Sequence, residues 1–194
     1  AHAVAKHAKP AESGSDAVVA SVAYQAGYVA YRLHDIRSAR EAWRDAREHR
    51  ERTLFSDHPE LQGARQNLAL TIRALGDLAG ARALFEKVLE VRERTLPPDH
   101  PELQTARGNL AVTIQALGDL TGARALEEKA LMVFERTLPP DHPDLQAARQ
   151  NLAVTIRALG DLAGARAHFE KVLEVRERTL PPNHPDLQAA RQNL

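Results

Sequence analysis

TLFSDHPELQGARQNLALTIRALGDLAGARALFEKVLEVRER, residues 53 to 94, decides how the rest of the chain reads. Residues 137 to 178 return the same text with six substitutions, and residues 95 to 136 are a more divergent copy. His58, His100, His142 and His184 keep a constant spacing of 42 residues. Self-similarity at a fixed period of this size is the mark of an array, in which each unit packs only on its neighbours.

Each copy predicts two helices. Asp57, Pro59 and Glu60 make a start signal. Asp57 is the expected cap, accepting from the free N–H groups of the first turn. Glu60 can reach back, and Pro59 sits where no intrahelical donor is needed. Leu61, Ala64, Leu68, Ile72 and Leu75 then follow at steps of three and four, which is one helical face. Gly76-Asp77 stops that helix and turns the chain. Leu78, Ala81, Phe85, Val88 and Leu89 form the matching face of the second helix, which Pro97-Pro98 cannot continue. Neither helix buries its stripe alone; stacked hairpins do.

The string Asn67-Leu68-Ala69, Ile72, Leu75-Gly76-Asp77-Leu78, Ala81, Phe85, Lys87-Val88-Leu89 resembles the tetratricopeptide repeat. The longer period resembles the variant found in kinesin light chains and in bacterial multidomain proteins. The resemblance runs from about residue 15 to 194. It implies an all-α, right-handed superhelical solenoid of antiparallel helix pairs. It further implies a groove lined by the first helix of each pair. The expected layout is a flexible lead-in over residues 1 to 14 and a degenerate repeat over 15 to 52. Full repeats follow over 53 to 94, 95 to 136 and 137 to 178, with a partial one over 179 to 194.

Two departures stand out. Arg65, Arg107 and Arg149 occupy the place of the family's first large aromatic, so their stems are expected to pack while their heads reach water. Glu127 stands where Phe85 and Phe169 stand, and Met132 and Phe134 replace Glu90 and Arg92. That exchange predicts bulk moved along the second helix.

In the worn first copy, Gly27 falls on the small crossing position and Trp43 on that of Phe85; Asp16 or Ser15 is the expected cap. At the other end the text stops inside a first helix, which predicts that the natural chain continues past Leu194.

Composition narrows the function. Hydrophobic residues make up 43% of the 194 and aromatic ones only 4%, so a core must be built from small aliphatic side chains. Lys plus Arg and Asp plus Glu both number 26, which leaves no basic excess for a nucleic-acid duplex. No apolar run approaches a membrane span. The chain has no cysteine, which fits a reducing, cytoplasmic compartment. The four Asp-His-Pro sites tempt a metal reading. Their ligands, one repeat apart, cannot converge within about 2–2.5 Å of one ion. No phosphate loop or catalytic triad order appears. No cofactor, no metal and no enzymatic activity are expected.

What remains is a binding face. The resemblance places Gln66, Asn67, Leu70 and Arg73, then Asn109 and Gln115, then Gln150, Asn151 and Arg157 along the groove. Amides can bond an extended backbone, and guanidinium groups select carboxylates. In the first copy Tyr24, Tyr28 and Tyr31 take the places of Gln66, Leu70 and Arg73, and tyrosine is a favoured interface anchor. The competing reading packs these rings against the lead-in. The expected partner is a protein or peptide with an acidic preference, with no nucleic acid and no membrane. The alternative is a structural spacer or self-assembly module of a larger protein. Weak self-association is expected through the C-terminal repeat, where Leu187 and Leu194 await a second helix.

Overall fold

The computed structural model describes residues 14–194. Its elements are α1 (Gly14–Arg32), α2 (Ile36–Thr53), α3 (Pro59–Ala74), α4 (Leu78–Thr95), α5 (Pro101–Ala116), α6 (Leu120–Thr137), α7 (Pro143–Ala158), α8 (Leu162–Thr179) and α9 (Pro185–Gln192). There is no strand among the described residues. Two compact units result, Ala1–Thr95 and Leu96–Leu194. In the first, α1 packs on α2, α2 on α3 and α3 on α4. In the second, α5 to α9 pack in the same serial way. The lead-in expected before α1 lies outside the described residues, apart from Gly14, which opens α1. Asp16 therefore stands inside the first turn of α1, where a carboxylate suits the helix dipole, and not at a cap.

The connector between hairpins is built differently from the sequence expectation. The cap of α3 is His58, not Asp57: its Nδ1 accepts from the Glu60 N–H at 3.3 Å. Pro59 at the first helical position fixes the chain so that residue 58, at φ −61 and ψ 132, aims its ring back at the second turn residue. His100, His142 and His184 cap α5, α7 and α9 in the same way. That bond occupies Nδ1 of each ring. A second device is the glutamine after each connector leucine. Gln62, Gln104, Gln146 and Gln188 donate to the carbonyls of Ser56, Pro98, Pro140 and Pro182 at 2.7, 2.8, 2.6 and 2.9 Å. Each ties its helix to the preceding loop at a carbonyl that has no helical partner.

Within each hairpin, Gly76, Gly118 and Gly160 take φ of 92, 92 and 91, the left-handed turn that ends the first helix. Asp119 and Asp161 then cap the second helix, and Asp77 accepts from the Gly80 N–H in the same manner. In the first copy His34 holds that left-handed position at φ 60. Leu75 is 40% exposed, so the apolar face of α3 ends a turn earlier than its spacing suggests.

The heads of Arg65 and Arg149, expected to reach water, are instead largely buried against an acid of the preceding helix, while Arg107 Nη1 donates to Gln104 Oε1 at 3.0 Å. Arg65 pairs with Glu51 at 3.0 Å, Arg149 with Glu135 at 3.0 Å and Arg191 with Glu177 at 3.2 Å. The expected transfer of bulk in the third copy is half right. Phe134 is buried in a core with Leu131, Leu145, Leu152, Ile156 and Phe169. Met132 is 70% exposed and fills nothing, because its place on α6 faces water. Glu127 itself is buried at 3% exposure.

Candidate protein-binding face

The first helix of each hairpin is the element to examine, and in unit 1 its aromatic residues form one cluster. The Tyr24 and Tyr28 rings meet edge-on at 5.4 Å. Tyr28 meets the Trp43 indole edge-on at 5.7 Å, and Tyr31 lies 5.7 Å from the same indole. Their spacing on α1 puts them along one face, and Trp43 on α2 is the anvil beneath. Trp43 Nε1 donates to the Tyr24 carbonyl at 3.2 Å, which satisfies its buried donor. The Arg50 guanidinium covers Tyr24 at 4.4 Å. Burial pushes the Tyr24 phenol up to about 12, so it stays protonated and can serve only as a neutral partner.

The three tyrosines differ in what they offer. Tyr24 is half-buried and accepts from Asn67 Nδ2 at 3.0 Å. Tyr28 and Tyr31 are 44% and 45% exposed. Large rings held against an aromatic neighbour while showing nearly half their surface are preorganised for contact. The rings rest on Trp43 and on each other.

The amides expected along the face are largely engaged within the fold. Asn67 is 9% exposed and ties α3 to α1 through Tyr24, which departs from the open row of amides expected. Gln66 accepts from Arg92. Gln150 accepts from Arg176 Nη2 at 2.7 Å. Gln115 donates to Thr155 Oγ1 at 3.0 Å, linking α5 to α7. These residues join helices, and a side chain so used has less to give a ligand. Leu70, Asn109 and Asn151 are half-buried. Arg73 lies over the Phe85 ring at 5.6 Å, and exposed Arg157 over the Phe169 ring at 5.1 Å. In the copy between, both partners change together: Gln115 replaces the arginine and Glu127 the phenylalanine.

Sequence reasoning missed Trp43 as part of the aromatic face; its place in the repeat marked it as core only. Among the described residues there is no cluster of three or more metal-ligating side chains. No described helix is long and apolar enough to cross a membrane.

The family profile described as tetratricopeptide repeat matches residues 62–136 and again 102–178, more than half of the chain. No curated protein matches. Among solved structures, a putative kinesin light chain of Podosopora anserina with nearly identical repeats is similar at a TM-score of 0.80 and 24% identity, covering 94% of this chain and 86% of that one. BtubC (BKLC) from P. vanneervenii is similar at 0.73 and 20% identity, covering 93% and 79%. The apo form of RapI is similar at 0.73 and 14% identity, covering 88% and 59%. At these identities the likeness is one of fold.

Proposed function

Because the chain belongs to the tetratricopeptide repeat family, whose fold is consistent with a protein–protein interaction scaffold, we propose that the face of α1 and α3 in unit 1 binds a segment of a partner protein. The observation that carries this is the pair of half-exposed rings, Tyr28 and Tyr31, seated on Trp43. Leu70 and Arg73, half-buried on α3, hold the repeat places of Tyr28 and Tyr31. Arg73, and in unit 2 Arg157, supply the acidic preference. In unit 2, Asn151, half-buried on α7, is the amide proposed to meet a partner backbone.

The test is a displayed peptide library selected on the whole chain. The selected peptides are then retested on Tyr28→Ala. Loss of an interface anchor should weaken them by about 1–2 kcal/mol. Unchanged affinity together with a large loss of stability would show that the rings only pack.

A second reading keeps some support. Leu194 is 51% exposed and Leu162 is 67% exposed, which leaves apolar surface on unit 2. Leu187, expected to be uncovered, is 2% exposed because α9 lays it on α8. The apolar surface available for self-association is therefore smaller than the sequence suggested. Light scattering over a concentration series tests it: a monomer up to about millimolar concentration excludes a contact worth roughly 4 kcal/mol.

A further inference from the structure

A second cleft lies in unit 1, walled by α2 and α4 and floored by α3. Its volume is about 560 Å3. One wall carries Arg40, Arg44 and Arg47 of α2. The floor and far wall carry Leu68 and Ile72 of α3, Leu75 at its C-terminal cap, and Leu84 of α4. Leu75 is 40% exposed and Ile72 half-buried, so apolar surface is open to the cleft. Leu68, Ile72 and Leu75 fall on a different side of α3 from Gln66, Leu70 and Arg73, so this is not the tyrosine face.

Arg44 and Arg47 are peculiar to this copy, whereas Arg40 is shared with the later ones. At the places of Arg44 and Arg47 the later copies have Glu86 and Leu89, Glu128 and Leu131, and Glu170 and Leu173. There the arginine at the place of Arg40 closes on its own helix: Arg82–Glu86 and Arg124–Glu128 at 2.7 Å, Arg166–Glu170 at 2.8 Å. In α2 that partner has become a third arginine in the row. Like charges four residues apart on a helix repel. The acids left beside them pair loosely. Arg40–Glu41 is 3.7 Å, Arg44–Asp45 is 3.9 Å, and Arg47–Glu51 is 3.7 Å from Nε, a nitrogen that has no hydrogen-bond acceptor and no contact with solvent. Arg47–Glu48, at 3.4 Å, is the tightest. Asp77, on the cleft's rim, spends one oxygen on the Gly80 N–H at 2.8 Å.

We propose that this cleft is a docking site for an acidic, amphipathic segment of another protein, with carboxylates on Arg40, Arg44 and Arg47 and bulky apolar side chains on Ile72 and Leu75. Charge complementarity names the partner's acids, and the open leucine and isoleucine name its apolar residues. From Arg40 to Arg47 the helix rises only about 10 Å, so the motif is short. A phosphate backbone would satisfy the arginines but would lie against an apolar floor with nothing to offer it.

The test uses the whole chain and a fluorescein-labelled peptide with glutamates and leucines on opposite helical faces, titrated by anisotropy. Saturable binding that weakens with rising ionic strength is expected. The Arg44→Glu/Arg47→Leu variant restores the residues of the later copies, so it should fold with an unchanged helical spectrum. It should bind at least about tenfold more weakly. The same peptide with serine for leucine should lose a similar factor on the native chain. Tyr28→Ala should leave the titration unchanged, which separates this site from the tyrosine face. Absence of saturable binding, or equal binding by the double variant, would overturn the proposal. So would displacement of the peptide by an oligothymidylate of equal affinity, which would reassign the arginines to phosphate.

Discussion

The indole of Trp43 occupies the space where a Cβ on residue 27 would stand: an added carbon would lie 2.4 Å from Nε1 and 2.5 Å from Cδ1. Gly27 is there because α1 and α2 cross over a ring larger than the Phe85 and Phe169 used in later copies. Those copies have Ala69 and Ala153 at the crossing, both fully buried. The pair has a testable consequence. Gly27→Ala should destabilise unit 1 by about 1–3 kcal/mol, the usual cost of overpacking. Adding Trp43→Phe should recover most of it, since the pair then matches the later copies. Urea denaturation followed by circular dichroism measures both; independent, additive losses would show that the two residues do not share the space.

His34 offers a gain. It holds φ 60 where Gly76, Gly118 and Gly160 hold the equivalent turn. A side chain in that region costs roughly 1 kcal/mol. His34→Gly should therefore raise stability by several tenths of a kcal/mol, after the added freedom of the unfolded chain is subtracted. Gly160→Ala should lower it by about 1 kcal/mol. Thermal melts read both signs.

Glu127 predicts a pH dependence confined to unit 2. Burial pushes its carboxyl up from 4.5 to about 7, and the Thr155 hydroxyl offsets only part of that. Neither carboxylate oxygen has a partner in bonding geometry. The folded state thus keeps a proton that the unfolded chain releases near 4.5. Stability contributed at this site is intact below about pH 4.5, falls as pH rises through 7, and is then flat; the change is on the order of 2–3 kcal/mol. Glu127→Gln should flatten that slope. A slope that persists unchanged in the variant would place its origin elsewhere.

The connector histidines predict a smaller loss. His142→Ala removes the acceptor for the Asp144 N–H, a contact of 3.2 Å, and should cost about 1 kcal/mol. His142→Asn, which keeps an acceptor at the cap, should recover much of it. Equal melting temperatures for native and alanine forms would deny the cap its role.

Much was legible before any coordinates. The 42-residue period, the leucine and alanine spacings and the Gly-Asp turn determined paired helices, their order and most of their bounds. They could do so because those features are local: a left-handed glycine or a proline pair ends a helix whatever lies nearby. Which side chain does the capping was not legible. Asp57 and His58 are both acceptors, and only the path of the chain into Pro59 puts His58 in range.

The binding face shows the same division. Sequence placed Tyr24, Tyr28 and Tyr31 on one side of α1, because helical spacing alone does that. It could not say that Asn67, Gln66, Gln115 and Gln150 bond to residues on other helices, since repeats preserve a joint and a ligand contact alike. Nor could it show that Arg40, Arg44 and Arg47 overhang an apolar cleft, because that cleft exists only where three helices meet. Period and spacing fix which residues share a helix face; only packing decides whether that face meets another helix or water.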